Sequence, residues 1–99
     1  MTENPYPLLE PEFRAWLAER PEERINDAPA HARCRHCPLA QFLAHRYGGS
    51  WAVDHYLYVP DGGLSLKTPA WATGAIVNAD NGIGYIHTAA DLLRAMGPA

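Results

Sequence analysis

The sequence is poor in cysteine and in positive charge, and each shortage excludes a class of protein. Its 99 residues include two cysteines, and eight Lys and Arg stand against eleven Asp and Glu. Two cysteines are too few for the disulfide framework of a small secreted domain, so we expect reduced thiols. A net charge of −3 disfavours direct binding to nucleic acid, because phosphate backbones select basic surfaces.

Long apolar runs are also missing. No stretch approaches the roughly 20 apolar residues that a membrane span requires. Residues 1–6 have neither the basic start nor the apolar segment of a secretory signal. We therefore expect no membrane partner and a cytoplasmic location. The hydrophobic share of 47% is nevertheless enough for one core, which predicts a single domain over residues 1–99.

Acidic side chains are concentrated near the N-terminus. Residues 1–27 carry a net charge of −4, whereas residues 28–46 hold three arginines and no acid. We interpret residues 1–33 as an acidic helix and loop that precede an α-β-β-α-α core at residues 34–99. The acidic segment either mimics a nucleic-acid backbone towards a basic groove on a partner or is an ordinary solvated helix face. The candidate partner-binding carboxylates are Glu19, Glu22 and Glu23.

Proline positions and apolar periodicity predict four short helices. Proline is favoured in the first helical turn, and apolar residues spaced by three or four form a buried stripe. Phe13, Trp16 and Leu17 have this spacing, and Thr88 with Asp91 predicts a capping box at the last helix. The predicted helices cover about residues 11–20, 38–47 with Cys37 as N-cap, 69–80 with Thr68 as N-cap, and 89–96.

Alternating residues between the second and third helices predict a hairpin. Residues 51–59 alternate with period two, which is typical of a half-buried strand. A turn at residues 60–63 leads to a second strand at 64–67, and residues 83–87 are a third strand or an extended link. The predicted fold class is α+β: a small antiparallel sheet of two or three strands packed by about four short helices. One face carries Trp51, Val53, His55, Leu57 and Val59, and its apolar members Trp51, Val53, Leu57 and Val59 are the candidates for the core.

The other face of the predicted strand carries Tyr56 and Tyr58. Tyrosine is enriched at the energetic centres of protein interfaces, so both are candidate partner-binding residues. In the alternative interpretation the N-terminal helix covers them and the sheet is buried on both sides.

The densest group of potential metal ligands is the segment His31-x2-Cys34-x2-Cys37. Two cysteines separated by two residues have the spacing with which a pair of thiolates binds one zinc ion. His31 or His36 is the candidate third ligand, and His45 or His55 the fourth. No second ligand pair follows, so we expect no cofactor, with zinc as the alternative. Without zinc, Cys37 is a buried helix cap.

Cys37 also has the position of a reactive thiol. The positive end of a helix dipole favours the thiolate, which is the nucleophilic form of cysteine. A histidine base with Asp54 or Asp61 would complete a catalytic composition, although geometry alone identifies a triad. A redox dithiol is disfavoured, because a loop containing proline precedes Cys34 where a thioredoxin-like protein has a strand.

Four short motifs follow one another in the last two thirds of the chain. They are Cys-Pro-Leu-Ala at residues 37–40, Pro-x-Trp at 69–71, Asp-x-Gly at 80–82 and Ala-Ala-Asp-Leu-Leu at 89–93. In this order the motifs resemble a family of small uncharacterised proteins of bacteria and their phages. The resemblance implies a phage or mobile-element origin. By analogy with small acidic phage proteins, it also implies an inhibitor of host defence, including CRISPR effectors.

The leading hypothesis is a non-enzymatic protein that acts through protein–protein contacts. Its partner would be a host protein or a ribonucleoprotein defence complex of the CRISPR type, which it would inhibit as an anti-CRISPR protein. Two alternatives stay open: a zinc-stabilised module whose basic loop contacts nucleic acid, and a small thiol-dependent enzyme at Cys37. A homodimer is a further open alternative.

Overall fold

The computed structural model describes residues 4–27, 33–82 and 84–98. In these residues, four helices of eight or more residues and one helical turn pack with a three-stranded antiparallel sheet. This architecture confirms the predicted α+β fold class. The elements are α1 (Glu10–Glu19), α2 (Arg33–His36), α3 (Pro38–Tyr47), β1 (Trp51–Val53), β2 (Leu57–Pro60), β3 (Leu66–Lys67), α4 (Ala70–Asn81) and α5 (Ala89–Met96).

Helices α1 and α3 begin and end close to the predicted residues. Each has a proline in its first turn, and Cys37 is the N-cap of α3 as expected. α3 ends at Tyr47, and the next residue, Gly48, is its C-cap. The φ of Gly48 is 78°, a conformation that glycine adopts without strain. The buried faces match the predicted stripes, with Phe13, Trp16 and Leu17 in α1 and Leu39, Phe42 and Leu43 in α3.

The last two helices confirm one predicted cap and correct another. Thr88 and Asp91 form the expected capping box of α5, in which the Asp91 N–H donates to Thr88 Oγ1 at 3.2 Å. The N-cap of α4 is Pro69 rather than Thr68. Thr68 is buried, and its hydroxyl donates to the carbonyl oxygen of Asp54 at 3.2 Å. This bond ties the start of α4 to the turn between β1 and β2.

The prediction of one strand over residues 51–59 is wrong, because the chain reverses direction inside that segment. A carboxylate oxygen of Asp54 accepts hydrogen bonds from the backbone N–H groups of Tyr56 and Leu57, each at 2.7 Å. An aspartate that accepts from the residues after it stabilises a turn. β1 and β2 are therefore separate antiparallel strands, and β3 completes the sheet in the order β1-β2-β3.

The turn changes which side chains face the core. Residues paired across antiparallel strands share a face of the sheet, and Tyr58 pairs with Val53 on one side and Leu66 on the other. Tyr58 is 1% exposed, whereas Leu57 is 42% exposed. The prediction that Leu57 faces the core is therefore wrong. Of the two open alternatives for Tyr58, exposure is wrong, and the side chain is covered. Because of the turn, each residue of β2 lies on the face of the sheet opposite to the one that continuous alternation from β1 predicts.

The segment predicted as a third strand or an extended link, residues 83–87, contains a turn where the structure describes it. The N–H groups of Tyr85 and Ile86 donate to the carbonyl oxygen of Gly82 at 3.0 and 2.6 Å. The Ile25 N–H donates to the carbonyl oxygen of His87 at 2.9 Å, and Ile86 is buried. These contacts fasten the loop after α1 to the segment between α4 and α5.

One hydrophobic core joins the helices and the sheet. Phe13 and Leu17 of α1, Leu43 of α3 and Leu92 of α5 are almost completely buried in it. The acidic N-terminal helix therefore packs into the same core as the rest of the described chain. None of the described helices is both long and apolar enough to cross a bilayer.

Candidate functional site

The structure leaves one of the two predicted partner-binding tyrosines at the surface. Tyr56 lies in the β1–β2 turn and is 78% exposed. The Tyr58 hydroxyl donates to the carbonyl oxygen of Tyr6 at 2.7 Å and accepts from Asn4 Nδ2 at 2.8 Å. The segment before α1, and not α1 itself, thus covers Tyr58. Because Tyr58 is buried and hydrogen-bonded within the fold, it is not part of a binding surface.

The three candidate glutamates lie on another part of the surface. Glu19 is the last residue of α1, and Glu22 and Glu23 follow it in an exposed turn. The Glu23 carboxylate pairs with Arg20 at 3.3 Å, and an exposed ion pair of this kind contributes little stability. None of the three lines the cavity beside Tyr56. Their role in partner binding stays a prediction.

The sheet has an apolar face that the predicted alternation did not anticipate. On the side opposite Tyr58, the apolar side chains are exposed or half-buried, and none belongs to the core of the described residues. The pairings Ala52 with Val59 and Leu57 with Lys67 place these side chains together. We call this side the outer sheet face; it carries the apolar residues Ala52, Leu57 and Val59 and the charged residue Lys67.

Two further apolar residues are exposed in the loops beside the sheet. Tyr56 immediately precedes β2, and Leu64, in the loop between β2 and β3, is 87% exposed. Leu64 lines a cleft with Asn4 and Tyr6, which cover Tyr58, so only Tyr56 is counted with the outer sheet face below.

A small cavity opens beside the β1–β2 turn, and we call it the turn cavity. Its volume is about 310 Å³. It lies where the N-terminus of α3, the end of β1 and the second half of α4 meet. Besides Tyr56, its lining residues are Cys37, Val53, Asp54, His55, Ile76 and Asp80.

The turn cavity brings a thiol, an imidazole and a carboxylate together. Cys37 reaches it from the N-cap of α3 and is 3% exposed. The carbonyl oxygen of His55 accepts from the Thr73 hydroxyl at 2.8 Å, which holds the turn against α4. The Nε2 atom of His55 lies 4.0 Å from Oδ2 of Asp80. This separation allows an ion pair when the imidazole is protonated.

Of the two aspartates predicted to accompany a thiol, Asp54 lines the turn cavity and Asp61 does not. The backbone N–H groups of Leu57 and Tyr56 hold the pKa of Asp54 below its ordinary value of 3.8, so Asp54 is a carboxylate at neutral pH. Sequence reasoning missed Asp80. No local spacing relates Asp80 to a residue in the β1–β2 turn, since only the packing of α4 brings them together.

The predicted zinc ligands fall largely outside the described residues. His31 lies outside them, and so does the side chain of Cys34, while Cys37 lines the turn cavity. Within the described ranges no group of three or more His, Cys, Asp or Glu side chains is arranged to hold a metal ion. Zinc binding at His31, Cys34 and Cys37 stays a prediction.

Comparison with protein-family models, with curated proteins and with solved structures finds no match for this chain. The resemblance to small bacterial and phage proteins therefore stays a prediction. Function has to be argued from the outer sheet face and the turn cavity, because a fold alone does not identify an activity.

Proposed function

We propose that the chain is a partner-binding protein that acts by contact and docks another protein on its outer sheet face. The observation that carries the proposal is the outer sheet face itself, where Leu57 is 42% exposed and Tyr56 in the adjoining turn is 78% exposed. A monomer gains nothing from keeping such a surface in water, and contiguous exposed apolar patches mark interaction sites. Tyrosine beside an apolar patch is typical of interface centres.

Charge indicates the chemistry of the partner. The chain has a net charge of −3, and Asp54 and Asp61 lie in the two loops at the ends of β2. An apolar patch on the partner would complement this surface, with Lys or Arg opposite Asp54 and Asp61 and an acidic group opposite Lys67. Glu19, Glu22 and Glu23 would add to the long-range attraction. A host protein or ribonucleoprotein defence complex of the CRISPR type, met in the cytoplasm, is the specific partner that the family resemblance favours.

A matched pair of leucines tests the docking surface. Leu57 on the outer sheet face and Leu9 before α1 are 42% and 46% exposed, so neither substitution by serine empties the core. The partner is first trapped by cross-linking and identified by mass spectrometry, and is then purified and titrated. We expect Leu57→Ser with Tyr56→Ala to weaken binding at least about tenfold, and Leu9→Ser to leave the Kd unchanged.

Three results would count against this proposal. One is an equal Kd for the Leu57 and Leu9 variants. Another is a dimer in sedimentation that Leu57→Ser dissociates, because the face would then bind a second copy. For the defence partner, the wild type should raise plasmid survival in a host with an active CRISPR system and Leu57→Ser should not. Equal survival with both would reject that partner.

A further inference from the structure

A cleft of about 780 Å³ runs along one edge of the sheet, and we call it the edge cleft. Two segments of the chain line it: residues 4–6 and residues 60–67, which include β3. Its volume is within the range of sites that bind ligands. In the sheet order β1-β2-β3, no strand of the described residues pairs with the outer side of β3. The edge cleft is therefore a space beside an unpaired strand.

Both segments that line the edge cleft are held by hydrogen bonds within the fold. Asn4 Nδ2 donates to the hydroxyl of the buried Tyr58 at 2.8 Å, and that hydroxyl donates to the carbonyl oxygen of Tyr6 at 2.7 Å. In the loop after β2, the Asp61 N–H donates to the carbonyl oxygen of Ser50 at 2.9 Å. The cleft is thus formed before a ligand binds, which lowers the entropic cost of binding.

The hydrogen-bond pattern of the sheet turns the backbone of Lys67 towards the open edge. The Thr68 N–H donates to the carbonyl oxygen of Tyr56 at 2.8 Å, and the next pair in the register is Leu57 with Lys67. In an antiparallel ladder, hydrogen-bonded pairs alternate with pairs that are not hydrogen-bonded. Leu57 and Lys67 therefore exchange no hydrogen bonds. The N–H and C=O groups of Lys67 point away from β2 and can pair with an added strand.

The side chain of Lys67 provides a positive charge at this edge. Lys67 is exposed, is the only lysine in the chain, and forms no ion pair with a carboxylate of the described residues. Asp61 also lines the cleft, but it follows the far end of β2, on the order of 10 Å away along the sheet. The end of the cleft at Lys67 therefore attracts an acidic group.

The alternation of side chains along β3 defines what such a strand would carry. Leu66 is half-buried and lies on the same side of the sheet as Tyr58, whereas Lys67 lies on the opposite side. Residues directly opposite each other in neighbouring strands share a face of the sheet. An added strand would place one side chain beside Lys67 and would turn the two flanking side chains towards the side of Leu66. The matching sequence is an acidic residue between two apolar ones.

We propose that the edge cleft binds an extended peptide segment of a partner protein, which adds to β3 as a fourth strand. The segment has an acidic residue that pairs with Lys67, and its apolar neighbours lie in the cleft beside Leu66, Leu64 and Tyr6. In this mode of recognition main-chain hydrogen bonds supply affinity and alternate side chains supply specificity. The site is the edge of the sheet and not its outer face, so it goes beyond the docking surface proposed above.

The first test reverses charge on both sides of the contact. The full chain, labelled for NMR, is titrated with the peptide acetyl-Thr-Val-Glu-Val-Thr-amide, and with the same peptide carrying lysine in place of glutamate. We expect shifts of the backbone amides of residues 64–67 and of Tyr6. The glutamate peptide should bind at least about threefold more tightly, which is within the range of an exposed ion pair. Lys67→Glu should reverse the preference.

The second test separates the backbone of Lys67 from its charge. Lys67→Ala and Lys67→Pro both remove the ammonium group, but only proline also removes the N–H that points to the open edge. We expect Lys67→Pro to bind the glutamate peptide at least about threefold more weakly than Lys67→Ala. Unfolding curves show whether both are folded, and the charge reversal decides the proposal if Lys67→Pro is not. Leu57→Ser should bind the peptide as the wild type does, because Leu57 lies on β2.

Four results would overturn the proposal. One is the absence of amide shifts at residues 64–67 with either peptide, in which case Lys67 only protects the edge from pairing. The second is an equal Kd for both peptides, and the third is an equal Kd for folded Lys67→Ala and Lys67→Pro. The fourth is a dimer in sedimentation that Lys67→Pro dissociates, because a second copy would then occupy the edge. Unchanged peptide binding by Leu57→Ser would show that the edge cleft acts independently of the outer sheet face.

Discussion

The hydroxyl group of Tyr58 donates a 2.7 Å hydrogen bond to the carbonyl oxygen of Tyr6. This bond joins the central strand of the sheet to the segment before α1. The Tyr58 ring lies 6.1 Å from the ring of Trp51, which in turn contacts Tyr6. The side of the sheet that carries Tyr58 is thereby closed, and the opposite side is the one available to a partner.

Removal of the Tyr58 hydroxyl should destabilise the fold. Tyr58→Phe loses the bonds to Tyr6 and Asn4, and a typical net hydrogen bond is worth about 1 kcal/mol, so we expect the free energy of unfolding to fall by about 1–2 kcal/mol. Urea denaturation measures the change. Tyr56→Phe is the control, since Tyr56 is exposed, and it should have no effect. Equal stability of both variants would mean that the Tyr58 bonds contribute nothing.

The buried side chain of Asn26 should be important for stability. Its Nδ2 atom donates at 2.8 Å to the carbonyl oxygens of both Ala79 and Ile86, which connects α4 to the segment between α4 and α5. Asn26→Ala leaves buried carbonyl groups without these donors, so we expect a loss of about 2 kcal/mol or more in thermal or urea unfolding. Asn81→Ala, at an exposed position of α4, is the control. A loss below about 0.5 kcal/mol for Asn26→Ala would refute this assignment.

Two glycines of the α4 region should respond to alanine in opposite directions. A Cβ on Gly82 would overlap the side chain of Ile86, whereas a Cβ on Gly74 meets open space. Gly82→Ala should lower the free energy of unfolding by about 1–3 kcal/mol through overpacking. Gly74→Ala should raise it by up to about 1 kcal/mol, because alanine favours the helix. A shift of the two melting temperatures in the same direction would contradict the packing around Gly82.

The capping box of α5 should make the free energy of unfolding depend on pH in the acid range. Hydrogen bonds from the backbone N–H groups of His87 and Thr88 lower the pKa of Asp91 from 3.8 to about 2. A lowered pKa in the folded state stabilises the protein above the ordinary pKa of aspartate. That contribution is lost as the pH falls from about 4 towards 2. The wild type should therefore exceed Asp91→Asn in stability at pH 6, and the difference should shrink on acidification.

Unfolding curves at several pH values measure this difference. Asp61→Asn is the matched control, because Asp61 lies in the β2–β3 loop and caps no helix. If the difference in free energy of unfolding between the wild type and Asp91→Asn stays constant down to pH 2, the negative charge of Asp91 does not contribute to the stability of the cap.

Local signals in the sequence determined the helices. Pro11 and Pro38 in first turns, the periodic apolar residues, and the Thr88–Asp91 capping box place helices close to where the structure has them. These signals act between residues at most four positions apart, so they are visible in a short stretch of sequence, although packing into the core supplies most of the stability of the helices. The α+β class follows from such elements in their order along the chain.

The strands were less predictable, because the alternation over residues 51–59 continues through a turn. The carboxylate of Asp54 reverses the chain by accepting from the N–H groups of Tyr56 and Leu57. An aspartate in an alternating pattern is also compatible with a continuous strand. The pattern therefore did not distinguish one strand from two, and the error moved Tyr58 to the wrong face.

Only the tertiary structure decided the composition of the two candidate sites. The outer sheet face depends on the register of three strands, and register assigns each side chain to one face or the other. The turn cavity joins Cys37, His55 and Asp80 from three elements that are far apart in the chain. The sequence by itself determined which residues form helices and which offer reactive groups. Packing of α3 against β1, and of α4 against α3 and the β1–β2 turn, decided which of those groups meet, because side chains distant in sequence come together only when the core closes.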